Sequence, residues 1–176
     1  MKKPVFRTLF VLFVFILDAC AAAAPQPIET PTPPVEEMIN PGDRIGDFLI
    51  TTGAGEDVIF VTKLSCPFDD STQTESCEQP VGAKVNVSQG IIADRSKGKT
   101  LDEVWSGQTY EMIIEGRSVN LQAFGSVDFS HPVVGTVRVW NVVVVTDRPG
   151  KVTAQSNGVA GGDSWNYTAI ITFTAS

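Results

Sequence analysis

Histidine is almost absent from this chain of 176 residues: the only one is His131, in Phe129-Ser130-His131-Pro132. A Ser–His–Asp arrangement would have to be built on it. Pro132 biases the preceding residue toward extended or turn geometry, so His131 reads as a loop residue, and no Gly-x-Ser-x-Gly elbow accompanies it. Cysteine is scarce as well, with Cys20, Cys66 and Cys77 making up the full set. Two cysteines, with Cys20 set aside for the amino-terminal signal below, and one histidine do not complete a usual zinc site without carboxylate help. Positive charge is outweighed, at 13 Lys and Arg against 20 Asp and Glu, which excludes the basic footprint of a nucleic-acid binder. A phosphate loop is missing too: Gly98-Lys99-Thr100 has the right ending, but Ala93 stands where the first glycine is required. The run Gly158-Val159-Ala160-Gly161-Gly162 reads as a turn, not as a dinucleotide fingerprint. These absences leave no catalytic constellation, no cofactor and no metal site to assign.

What the sequence does hold begins at its amino end. Lys2, Lys3 and Arg7 precede an unbroken apolar run from Leu9 to Leu17. That run is too short for a bilayer-spanning helix, which takes about 20 apolar residues, but has the length and flanks of a secretory signal. It ends in Leu17-Asp18-Ala19-Cys20, which resembles the lipobox of bacterial lipoproteins, with Asp18 replacing the commoner small residue. The resemblance covers about the first 20 residues. It implies a signal peptide over 1–19, cleavage before Cys20, acylation of Cys20, and an extracytoplasmic protein held to a lipid bilayer. Several acyl chains on one residue make a durable anchor. Ala21 at the second mature position does not match the inner-membrane retention pattern.

Residues 20–41 read as a tether. Four alanines lead into Pro25, Pro27, Pro31, Pro33, Pro34 and Pro41, a composition that cannot bury a core. In polyproline geometry, at about 3.1 Å per residue, it reaches roughly 60 Å. The folded domain is then 42–176, one unit by length. Removing the signal takes away three basic residues and one acidic, leaving ten against nineteen and a net charge of −9. An acidic, solubilising surface follows.

The domain reads as all-β. Trp165, Tyr167, Ala169, Ile171 and Phe173 alternate with a mostly threonine set, the period of a strand with one buried face. Tyr110, Met112 and Ile114 repeat the pattern, as do Val85 with Val87, and Val152 with Ala154. Val137 to Val145 is nearly continuous apolar sequence, suited to a strand buried on both faces or crossing between sheets. Asp47–Thr52 and Asp57–Thr62 read as a hairpin around Gly53-Ala54-Gly55. Thr100–Trp105 alone suggests a short helical turn. About seven to nine short strands predict an antiparallel β-sandwich, with a barrel or jelly roll as alternatives. The ending, 137–174, resembles the last strands of bacterial immunoglobulin-like modules: hydrophobic strand, Pro-Gly turn, strand, Gly-rich turn, aromatic–threonine strand. This implies a fold and carries no functional residue.

With Cys20 given to lipid, Cys66 and Cys77 remain to pair as a disulfide outside the cytoplasm, enclosing a polar loop. Inside it, Asp69, Asp70 and Glu75 offer oxygen ligands of the kind calcium takes, without a recognised spacing. Glu111 and Glu115 share one strand face, but among nineteen acidic residues some pairing is inevitable. Trp140 and Trp165 sit in strand patterns and read as core; Trp105, beside Ser106-Gly107, is the tryptophan placed for ligand contact. Asn86-Val87-Ser88 and Asn166-Tyr167-Thr168 match the glycosylation acceptor pattern but lie in strands. The expected function is therefore a tethered, non-enzymatic module binding a protein or a glycan. A glycan hydrolase with paired carboxylates, or a purely structural envelope subunit, is the alternative.

Overall fold

Period-two alternation dominates the computed structural model, which describes residues 37–53, 55–64, 66–160 and 162–175. The signal, Cys20 and nearly all of the proline-rich tether lie outside the described residues. The strands in chain order are β1 (Arg44–Ile45), β2 (Phe48–Thr51), β3 (Val58–Phe60), β4 (Phe68–Asp69), β5 (Thr74–Pro80), β6 (Lys84–Asn86) and β7 (Gly90–Ile92). After helix α1 (Leu101–Ser106) come β8 (Thr109–Ile114) and β9 (Arg117–Ser118). Helix α2 (Leu121–Phe124) precedes β10 (Ser126–His131), β11 (Gly135–Trp140), β12 (Val143–Val145), β13 (Gly150–Ala160) and β14 (Asp163–Thr174). The class is all-β, with few helical residues. Among the described residues no helix is long and apolar enough to cross a membrane.

Three sheets form. The largest runs β4-β5-β14-β13-β8-β9, a second runs β1-β2-β12-β6-β3, and a third runs β10-β11-β7. Most pairs are antiparallel, but β5 lies parallel to β14 and β3 parallel to β6. Two apolar clusters fill the space between elements. Ile50, Val85 and Val144 from the five-stranded sheet share one with Met112, Ile114, Val152, Ala169, Ile171 and Phe173 from the six-stranded sheet. Val58, Phe60 and Val143 share the other with Val137 and Val139 of the three-stranded sheet. The five-stranded sheet is thus buried on both faces, which is why the Val142–Val145 run has no polar alternation.

The apolar run from Val137 to Val145 is two strands, β11 and β12, in different sheets. The chain changes sheet at Asn141, whose Oδ1 accepts from Gly53 N at 3.0 Å and whose N donates to Gly125 O at 2.9 Å. The β6-to-β7 connection changes sheet beside it. There Asn86 Nδ2 and Ser88 Oγ both donate to Trp140 O, at 2.9 and 2.7 Å, while Asn86 Oδ1 accepts from Ser88 N. Both residues are fully buried, and their hydrogen bonds satisfy polar groups that would otherwise be costly to bury. This also removes Asn86 as a glycan acceptor.

Two expectations are corrected. β2 and β3 are not hairpin partners; β12 and β6 stand between them. The folded part also starts before Gly42. Ile39 belongs to the main core, its N donates to Ser118 O and its O accepts from Asn120 N, and it bridges Val119 in parallel. The helical turn expected at Thr100–Trp105 is present as α1. Its Thr100–Glu103 capping box satisfies both the N-cap amide and the Glu103 amide.

Candidate functional site

Aromatic side chains converge where α1 meets β8 and β11. Arg138 on β11 makes a bidentate pair with Asp128, its direct cross-strand neighbour on β10, at 2.6 and 2.8 Å. Its third nitrogen reaches Asp102 of α1 at 2.7 Å. The hydrogen-bonded guanidinium holds the Asp128 carboxyl below the usual carboxylate range, and it also lies 5.7 Å from the Trp105 ring centroid. One arginine thereby pins α1 to the three-stranded sheet and seats Trp105 against Trp140, with ring centroids 4.9 Å apart. Tyr110 continues the line, 6.4 Å from Trp140 and 5.9 Å from Trp165. Its hydroxyl donates to Ser156 Oγ at 2.9 Å and accepts from Gln89 N at 2.8 Å. Burial pushes that phenol up to about 12, so it stays a neutral hydrogen-bonding group. Trp165 packs over Gly158, where a Cβ would meet its ring at 2.4 Å and Thr109 O at 2.6 Å.

Beside this line is a cleft of about 610 Å³, walled by β8, the turn after β9, α2 and Met38. Trp140, Tyr110, Gln108, Glu111, Asn120 and Gln122 contribute to its lining. Both amide atoms of Gln108 and the indole nitrogen of Trp140 are buried without a hydrogen-bond partner among the described residues. Such groups cost about 1–3 kcal/mol each to leave unmade. Trp105 is not among the lining residues; it stands behind Trp140. The cleft therefore presents a tryptophan that strand periodicity assigned to the core. The missed signal is that Trp140 ends β11 immediately before the chain changes sheet, where a strand pattern stops protecting a side chain.

A second grouping surrounds the disulfide. Cys66 and Cys77 are bonded, with Cα atoms 5.2 Å apart, as the sequence predicts. The alternation of β5 turns Glu75 inward with Cys77. The Glu75 carboxyl accepts a hydrogen bond from the Tyr167 hydroxyl of β14, and its Oε1 lies 3.9 Å from Cys77 Sγ. Burial raises the Glu75 carboxyl above its ordinary value, the tyrosine hydrogen bond opposing it; burial and then the carboxylate raise the Tyr167 phenol. Cys66 is partly exposed, and both cysteines line a surface cleft of about 550 Å³ with Leu64, Pro67, Ser76 and Thr172.

The remaining candidates separate. Asp69 closes its own turn, accepting from Ser71 N and Oγ, and Glu75 faces the core, so Asp69, Asp70 and Glu75 do not converge. Glu115 accepts from Thr153 N at 2.6 Å, whereas Glu111 faces the aromatic cleft. His131 Nδ1 accepts from Val133 N and Val134 N, closing the β10–β11 turn. Comparison with family models, curated protein sequences and solved structures found no match to this chain.

Proposed function

We propose that this chain is a lipid-anchored, extracytoplasmic binding module, non-enzymatic, whose β domain takes a neutral glycan in the cleft beside Trp140. The observation that carries the reading is the shared wall formed by Trp140 and Tyr110 with the amide-bearing residues Gln108, Asn120 and Gln122. A sugar offers an apolar ring face for the aromatic and vicinal hydroxyls for the amides. A site of this size, with few polar groups fixing orientation, suits a small ligand. Glu111 is the one carboxylate in the cleft lining, whereas the hydrolase alternative requires two flanking a bond. Trp105 acts behind Trp140 by fixing its ring. We further read the two larger sheets as an immunoglobulin-like sandwich with the three-stranded sheet added, on the succession of elements from β11 to β14.

Titration of the protein with neutral oligosaccharides is expected to shift tryptophan fluorescence and raise the melting temperature. Trp140→Ala should weaken binding by about thirtyfold, the roughly 2 kcal/mol of an aromatic anchor, and the surface change Gln122→Ala should weaken it without touching stability. A panel that moves neither signal at millimolar sugar sinks the glycan reading. For the anchor, Cys20→Ser is expected to move the protein from the membrane fraction to the soluble one. Retention of the variant at the membrane would remove the acylated-cysteine assignment.

A further inference from the structure

Glu75 is a buried acid with no cation against it among the described residues. The titratable groups facing it are the Tyr167 hydroxyl from β14 and, beyond that, the Tyr110 hydroxyl from β8. A buried carboxyl with no cation beside it is costly, and here its hydrogen bond comes from the Tyr167 hydroxyl. What Glu75 does touch is sulfur: its carboxylate and the two cysteine sulfurs lie within 4.8 Å of one another. Both cysteines line the surface cleft, but they differ in access, Cys77 being 2% exposed and Cys66 partly exposed.

We propose that Cys66–Cys77 is a reactive disulfide, open to thiol–disulfide exchange with an external dithiol, in which Cys66 is attacked, Cys77 leaves and Glu75 handles the proton. A dithiol thiolate attacks Cys66 Sγ. A new sulfur–sulfur bond forms there, the Cys66–Cys77 bond breaks, and its electron pair leaves on Cys77 Sγ. The Glu75 carboxylic acid, beside that sulfur, gives up its proton to make the Cys77 thiol and becomes the carboxylate. The second thiol of the dithiol, as thiolate, then displaces Cys66, which leaves as thiolate and takes a proton from solvent. The dithiol is oxidised to its disulfide, the protein disulfide is reduced to two thiols, and Glu75 is reprotonated from water. In reverse, the Glu75 carboxylate takes the proton of Cys77, and the thiolate so formed attacks a mixed disulfide on Cys66. Burial favours the protonated acid, which keeps a proton at hand above the ordinary carboxylate range.

The test uses the full chain in mild detergent with dithiothreitol as the reductant, from pH 5 to 8, followed by alkylation and mass spectrometry. Reduction is expected without unfolding, with the trapped adduct on Cys66. With the rate divided by the thiolate fraction of the reductant, Glu75→Gln should slow it by on the order of a hundredfold below the raised carboxyl value, and should flatten the pH profile. Tyr167→Phe keeps the acid and should keep the reaction. An adduct on Cys77, reduction only at the rate of global unfolding, or a Glu75→Gln profile identical to the parent's overturns the proposal. The adduct position and the unfolding comparison need no variant. Sugar binding at the Trp140 cleft is measured separately and is not touched by any of these outcomes.

Discussion

Ile39→Ala will destabilise the protein by about 3 kcal/mol, the middle of the range for truncating a large aliphatic side chain in a packed core. Ile39 is 0% exposed and packs with the main apolar cluster, although it lies in the segment that composition assigns to the tether. A chain begun at Gly42 will lose more. It forfeits the side chain, the 2.8 Å bond from Ile39 N to Ser118 O and the 2.9 Å bond from Asn120 N to Ile39 O. It also forfeits the hydrogen bond from Asn120 Nδ2 to Asn40 Oδ1. Urea unfolding of the two variants against the parent reads the effect as a lower midpoint, and about 10 °C in melting temperature corresponds to the point substitution. Equal midpoints would mean that Ile39 packs no better than solvent would hold it.

Replacing both Cys66 and Cys77 by alanine is expected to cost about 3 kcal/mol, the loop-closure value for so short a span. The two are separated by 11 positions. The end of this loop is held by β14, which pairs with Thr74 to Ser76 and donates from Thr168 N to Gln73 O, and its beginning is held less. β4 contributes two pairs to β5, Phe68↔Glu75 and Asp69↔Thr74, and Phe68 is itself exposed. The Ser76 N to Pro67 O bond is the backbone contact nearest the bridge. Beyond the fall in unfolding free energy, limited proteolysis should cut the double variant first between Pro67 and Thr74. A variant as stable and as resistant as the parent would show that strand pairing, not the bridge, fixes this loop.

Much of the fold was legible locally. The alternation in β8, β13 and β14 placed Met112, Ile114, Val152, Ala154 and Phe173 inward, and these residues are buried. The Val137–Val145 run announced a strand buried on both faces or crossing between sheets, and its two halves, β11 and β12, lie in different sheets. Thr100-x-x-Glu103 is a capping box readable from spacing alone. What was not legible depends on partners far along the chain. Gly53-Ala54-Gly55 has the composition of a hairpin turn, yet Gly53 N bonds Asn141, 88 positions away, and the strands on either side are claimed by β12 and β6. Ile39 is a lone aliphatic residue with no periodicity around it. Glu75 shares the parity of Cys77, so its inward direction was available. A carboxylate is assumed to face water, however, and that assumption hid the disulfide cluster. The cleft was missed because Trp140 obeys the strand pattern up to the residue at which the pattern ends.

The strand order has a consequence for how the chain can reach this structure. β12 lies between β2 and β6, and β5 meets β8 only through β14 and β13. β2, β5, β6 and β8 therefore each wait for a late strand on one edge. A growing chain cannot complete either large sheet from its amino-terminal part, and until β12 to β14 arrive one edge each of β2, β5 and β6 stands unpaired, the condition in which strands add to the wrong neighbour. Pairings so distant in sequence are slow to form. Closure of both large sheets thus waits on β12 to β14.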